Sequence, residues 1–168
     1  VFDLTVGNSG DAAGDGVAIA YASPYIYMTR ANSGGSEFYI INVSNPAAPS
    51  LTGQLDIAGN PNDIAVSGSY AYIASSDNAA ELQVIDASTP TLPLFAAGFD
   101  LTNANSGSGN ADGISIAKSG NNLYFGRAGS AGDEFIIFDV TMPAVPAILG
   151  RLGLNGDPND MKVSGTNV

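Results

Sequence analysis

EFYIINVSNPAAP, residues 37–49, returns as EFIIFDVTMPAVP at 134–146, an offset of 97 residues. At that offset FDLT at 2–5 falls on FDLT at 99–102, Arg30 on Arg127, and Pro46 and Pro49 on Pro143 and Pro146. PND at 61–63 then meets PND at 158–160, and VSG at 66–68 meets VSG at 163–165. The register holds to the last residue with roughly two positions in five identical, so the chain contains an internal duplication. A looser copy lies between the two, where ELQVIDASTPTLP at 81–93 repeats the same pattern. Asp63 opens this copy, 48 residues after Asp15 and 49 before Asp112.

Each repeat holds four short apolar runs separated by Gly, Pro, Asn and Ser, the pattern of short strands joined by turns. Strand A is expected at 17–20, 64–66, 114–117 and 161–163, and strand B at 25–29, 70–74 and 123–127. Strand C is expected at 37–43, 81–87 and 134–140, and strand D at 51–57, 94–101 and 148–154. The near-continuous apolar character of B and C suits strands covered on both faces, and the small residues of A suit a crowded axis. A four-stranded unit recurring every 48 residues or so is the mark of a propeller blade. The expectation is an all-β chain, one partial β-propeller over 1–168, of four-stranded antiparallel blades. Its blades run approximately over 15–57, 63–102 and 112–154, with partial blades at 1–5 and 160–168. Propellers close with about 4–8 blades, so the chain reads as an incomplete ring, either a fragment of a longer chain or a protomer completed by assembly. Its end sheets would expose apolar faces that recruit a partner, and self-assembly through those open blade faces is one route to cover them.

VIDASTPTLP at 84–93 and FDVTMPAVP at 138–146 resemble the strand-C consensus of the LVIVD-repeat β-propellers: an apolar run, Asp, a β residue, Ser or Thr, and a Pro-x-x-Pro turn. VSGSYAYIA at 66–74 is similar to that family's A–B hairpin. The resemblance covers essentially the whole chain. It implies the fold and an association with surface or secreted proteins, and says almost nothing of activity.

Sixteen acidic residues against five basic ones give a formal net charge of −11. Phosphate backbones require clustered Lys and Arg, so nucleic acid is excluded as a partner, and an anionic membrane surface would repel the chain. No apolar run in this segment approaches the roughly 20 residues that span a bilayer. With no Cys and no His, disulfides, thiol catalysis and His- or Cys-based metal sites are ruled out. Abundant Ser, Thr, Asn and Gly with few Lys suit an extracellular or cell-surface protein of bacteria or archaea.

Asp15, Asp63, Asp112 and Asp160 each open a strand A beside the expected axis. Read functionally, they form a carboxylate ring able to hold Ca²⁺ through oxygen ligands. Read structurally, each accepts backbone N–H bonds in its turn, and that role is preferred because the residue recurs whatever else varies. Arg30 with Glu37, and Arg127 with Glu134, bracket equivalent B–C loops and are expected as structural cross-strand pairs. The D–A loops at 6–16 and 103–113 alternate with the shorter 58–63 and 155–160, which gives a corrugated rim suited to a protein or glycan partner. Asn42-Val43-Ser44 is an N-glycosylation sequon at the end of strand C, read as coincidental. There is no G-x-S-x-G elbow, no phosphate-binding glycine loop and no His to activate a serine. The reading is a non-enzymatic extracellular propeller scaffold or binding module with no catalytic residues. Its rivals are a Ca-dependent propeller hydrolase or lactonase built on the axial Asp residues, and a structural subunit of a cell-surface fibre or layer.

Overall fold

A computed structural model describes residues 16–32, 34–101, 112–128 and 133–164. Twelve strands and no helix occur among them. The first sheet contains β1 (Gly16–Ala22), β2 (Tyr25–Arg30), β3 (Phe38–Asn42) and β4 (Ser50–Leu55). The second contains β5 (Pro61–Ser67), β6 (Tyr70–Ser75), β7 (Leu82–Asp86) and β8 (Leu94–Phe99). The third contains β9 (Gly113–Ser119), β10 (Asn122–Arg127), β11 (Phe135–Asp139) and β12 (Ala147–Leu152). Each sheet is an antiparallel meander in chain order, the architecture expected from the repeat. Residues 161–163 are the exception: the expected strand A there belongs to no strand, because a ladder needs a second strand and none of the described residues pairs with them.

Local chemistry sets the corners. Ser67 pairs with Tyr70 and Ser119 with Asn122, so two-residue turns join A to B in the second and third blades. Their first positions, Gly68 and Gly120, have φ of 58° and 55°, the left-handed value a type II′ hairpin demands at that position and only glycine adopts freely. At the C–D corner the side chain that ends strand C accepts the N–H two residues on. Asn42 Oδ1 takes Ser44 N–H at 2.8 Å, Asp86 Oδ1 takes Ser88 N–H at 2.8 Å, and Asp139 Oδ1 takes Thr141 N–H at 2.7 Å. The Asp of the LVIVD pattern is thus an Asx turn, and Asn42 of the sequon does the same work in the first blade. Hydroxyl and N–H donors of Ser88 and Thr141 hold the Asp86 and Asp139 carboxyls below the usual range. Each blade also carries a bulge between C and D, at Ile40/Ile41, Val84/Ile85 and Ile137/Phe138, which strengthens the strand twist a blade requires.

The core lies between sheets. Every blade has a front face turned toward the next blade and a back face turned toward the previous one. Tyr27, Phe38, Ile40 and Ile57 on the front of the first blade pack on Ile64, Ala71, Ile73, Ile85 and Ala87 on the back of the second. Tyr72, Ala74, Leu82, Val84 and Leu101 on the front of the second pack on Leu123, Phe125, Ile136, Phe138 and Val140 on the back of the third. Complete burial of one Leu, Ile or Phe is worth about 1.5–3 kcal/mol, so two such seams account for the cohesion of the array. β5 touches β1 on one side and β9 on the other, which places the A strands together along one axis. Among the described residues the contacts run from first to second to third sheet without closing a ring.

Candidate binding rim and its inter-blade clasps

The antiparallel meander brings the D–A and B–C connections to one end of every blade. Their repeated polar residues are buried there. Glu37, Glu81 and Glu134 are 1%, 0% and 4% exposed. Each stands at the head of strand C and accepts, through Oε2, the backbone N–H of a residue just past strand D of its own blade. The donors are Ile57 (3.1 Å), Leu101 (2.7 Å) and Leu154, each 20 residues on. Burial pushes the Glu37 and Glu81 carboxyls up, against the pull of the Ile57 and Leu101 N–H groups; the neighbouring Asp56 and Asp100 add to the rise.

The next blade takes hold of the same segment from the other side. Ser75 Oγ donates to Ala58 O at 3.2 Å, supported by Gln83 Nε2 on the same oxygen at 2.7 Å. One blade further, Arg127 Nη1 donates to Leu101 O at 3.1 Å. The segment after strand D is therefore clasped by its own blade's Glu and by the following blade's Ser or Arg. Asn60 extends the link, accepting Asn32 N–H at its Oδ1 (2.9 Å) and Ser76 N–H at its carbonyl (2.9 Å).

The two Arg–Glu pairs expected from the sequence meet through their backbones. Arg30 N–H donates to Glu37 O and Arg127 N–H to Glu134 O, both at 2.9 Å, while the carboxylates turn to the strand-D segment. Arg30 Nη1 reaches Tyr39 OH at 3.3 Å, and its guanidinium lies 5.9 Å from the Tyr39 ring centre. Arg127 is 1% exposed; burial lowers its pKa, and the charges of Glu81, Glu134 and Asp133 oppose that shift. Glu81, from the preceding blade, is thus a countercharge that sequence spacing did not reveal. A signal was available: Glu recurs in the middle blade, where Ser75 replaces Arg, so the Arg cannot be what every Glu serves.

The four expected axial aspartates do not share one register. Asp15 lies outside the described residues. Asp63 is the third residue of β5 and pairs with Ala74, whereas Asp112 precedes β9, whose residue at that register is Ser115, opposite Gly126. Pro61 and Asn62 occupy the first two positions of β5 as Gly113 and Ile114 do in β9, so Asp63 lies three positions further along than Asp112. Asp63 Oδ1 accepts Ile64 N–H and its Oδ2 accepts Ile116 N–H of the next blade, both at 2.8 Å. Burial raises its pKa, the two N–H groups lower it, and the charge of Asp160 raises it again. Asp160 itself is solvated, 3.8 Å from Lys162. Beside Asp63, Asn62 Nδ2 donates to Gly113 O at 2.7 Å, a second tie between adjacent A strands. Among the described residues no three carboxylates converge as a metal site would require.

Three four-stranded meanders packed face to face about their first strands define an incomplete β-propeller. In agreement, the fold is similar to that of the computationally designed Ika4 protein, with a TM-score of 0.64 at 12% identity over 94% of this chain and 84% of that one. Residues 24–57 and 58–100 match the LVIVD repeat, in support of the resemblance carried by the strand-C pattern. No curated protein matches the sequence.

Proposed function

We propose that the chain is a non-enzymatic propeller module, secreted or displayed at a cell surface, which presents its D–A and B–C loops as a rigid rim for a protein or glycan partner. One observation carries this reading: the repeated carboxylates of the rim hold backbone N–H groups within the fold. Glu37, Glu81 and Glu134 hold strand-D segments, and both oxygens of Asp63 are occupied by backbone N–H groups. Side chains committed in this way stiffen the blades and leave recognition to the loops, where rigid scaffolds commonly carry it. The acidic, Lys-poor composition, rich in Ser, Thr, Asn and Gly, supports the extracellular assignment.

The test pairs binding with calcium. A glycan array and a panel of purified surface proteins, probed with the chain in EDTA, should yield a ligand whose binding does not need calcium. Calcium should leave the melting temperature unchanged. A calcium-dependent rise in melting temperature that disappears in Asp63→Ala/Asp160→Ala, together with turnover of a lactone or ester, would replace this reading with the Ca-dependent hydrolase.

A further inference from the structure

Among the described residues nothing covers the back of the first blade. Ile19 and Tyr21 are 64% and 67% exposed, and with Ile26, Met28, Ile41, Pro46 and Pro49 they line an apolar groove of about 530 Å³. Position by position, Ile19, Ile26, Met28, Ile41 and Val43 correspond to Ile64, Ala71, Ile73, Ile85 and Ala87 of the second blade. Those five residues are buried at 0–6% exposure by Tyr27, Phe38, Ile40 and Ile57 on the front of the first blade. The chemistry that covers such a back face is therefore visible within the molecule: a Tyr, a Phe and an Ile presented by a neighbouring sheet.

The chain carries a second copy of that front. At the 97-residue offset Tyr27, Phe38 and Ile40 become Tyr124, Phe135 and Ile137, followed by Leu152 and Leu154 for Leu55 and Ile57. Even the ring pair is retained, with centroids 6.2 Å apart in both blades. Leu152 and Leu154 are 56% and 38% exposed. An independent sign comes from glycine. A Cβ on Gly53 would stand 2.1 Å from Pro90 O and 3.0 Å from Pro93 Cδ, because the Pro-x-x-Pro turn of the second blade rests on that strand. A Cβ on its duplicate Gly150 would meet nothing within 4 Å among the described residues. The groove on the first blade is edged by Pro46 and Pro49, the equivalents of Pro90 and Pro93.

We propose that the back of the first blade docks the front of the third blade of a second copy of this chain, head to tail, with Gly150 receiving the Pro46–Pro49 turn. The interface is heterologous. Residues 158–163 correspond to 61–66 of β5 yet belong to no strand, so the docked β1 competes with them for the place beside β9.

Sedimentation velocity across a concentration series tests the proposal with two variants that leave the monomer core untouched, Ile19→Asp on the exposed back and Gly150→Ala on the open front. Wild type should associate reversibly to a dimer. Each variant should weaken that association by about tenfold or more, since a charge or a methyl group enters a packed seam. An equimolar mixture of the two variants should dimerise again, because one back with Ile19 and one front with Gly150 remain intact. A wild-type chain that stays monomeric at all concentrations overturns the proposal. So does a dimer sensitive to Ile19→Asp alone, which is back-to-back, or one indifferent to both substitutions. Circular dichroism of the separate variants verifies that each is folded.

Discussion

The seam between the first and second blades and the seam between the second and third solve one problem with different chemistry. In both, a carbonyl just past strand D must be held by the following blade. The first uses the neutral pair Ser75 and Gln83 on Ala58 O; the second uses Arg127 on Leu101 O. The neutral solution carries no charge into the seam. The charged one buries a guanidinium whose Nε and Nη2 have no hydrogen-bond partner among the described residues, opposite a Glu81 whose Oε1 also has none. Arg127 is held by the summed field of Glu81, Glu134 and Asp133, and Glu81 depends on it in return. One clasp can be removed at small cost. The other cannot be removed without stranding its countercharge.

Arg127→Ala should break the comparison most severely, costing about 3–5 kcal/mol because Glu81 is left buried without compensation. Urea denaturation would measure it, and Arg127→Met combined with Glu81→Gln should recover part of the loss. Gly53→Ala comes next, at about 1–3 kcal/mol, since its Cβ would collide with the Pro90 carbonyl. The same change at Gly150 should leave the monomer's unfolding midpoint where it was. Ser75→Ala should cost only about 1 kcal/mol, with Gln83 still on Ala58 O; a loss equal to that of Arg127→Ala would show that the two seams do not differ as described.

The smallest effect lies in the pH dependence. Glu81 has a folded pKa above its ordinary value of 4.5, so the folded state binds its proton more tightly than the unfolded chain. The stability this adds is complete below pH 4.5 and is lost as pH rises through the raised value. Glu37 and Asp63 act in the same direction, while Asp86 and Asp139, held low, lose their contribution as pH falls through the acid range. In Glu81→Gln the decline in unfolding free energy between pH 4.5 and neutrality should be shallower than in wild type. An unchanged profile would show that Glu81 does not titrate differently in the two states.

Much of the architecture was legible because repetition carries it. ELQVIDASTPTLP beside its two homologues marks strand C, its Asx corner and the turn in all three blades, and the near-continuous apolar runs of β6 and β7 announce burial on both faces. The clasps were not legible. The distance from Glu81 to Leu101 is 20 residues in sequence and one hydrogen bond in space, and the donor is a backbone group that any side chain would supply. Asp63 and Asp112 look equivalent when aligned on the letter D, yet differ by three positions of register, Asp63 being the third residue of β5 and Asp112 standing just before β9.

The chain's own residues thus determined the blades, through apolar periodicity and through turn residues that act within a few positions of themselves. Only the packing of sheet on sheet decided what the polar residues do. Whether a buried Glu faces an Arg, an N–H or water depends on the neighbouring blade, and local sequence holds no record of that distance. The two faces of each sheet belong to both accounts: their residues were written in the repeat, and the fold revealed which of them are covered.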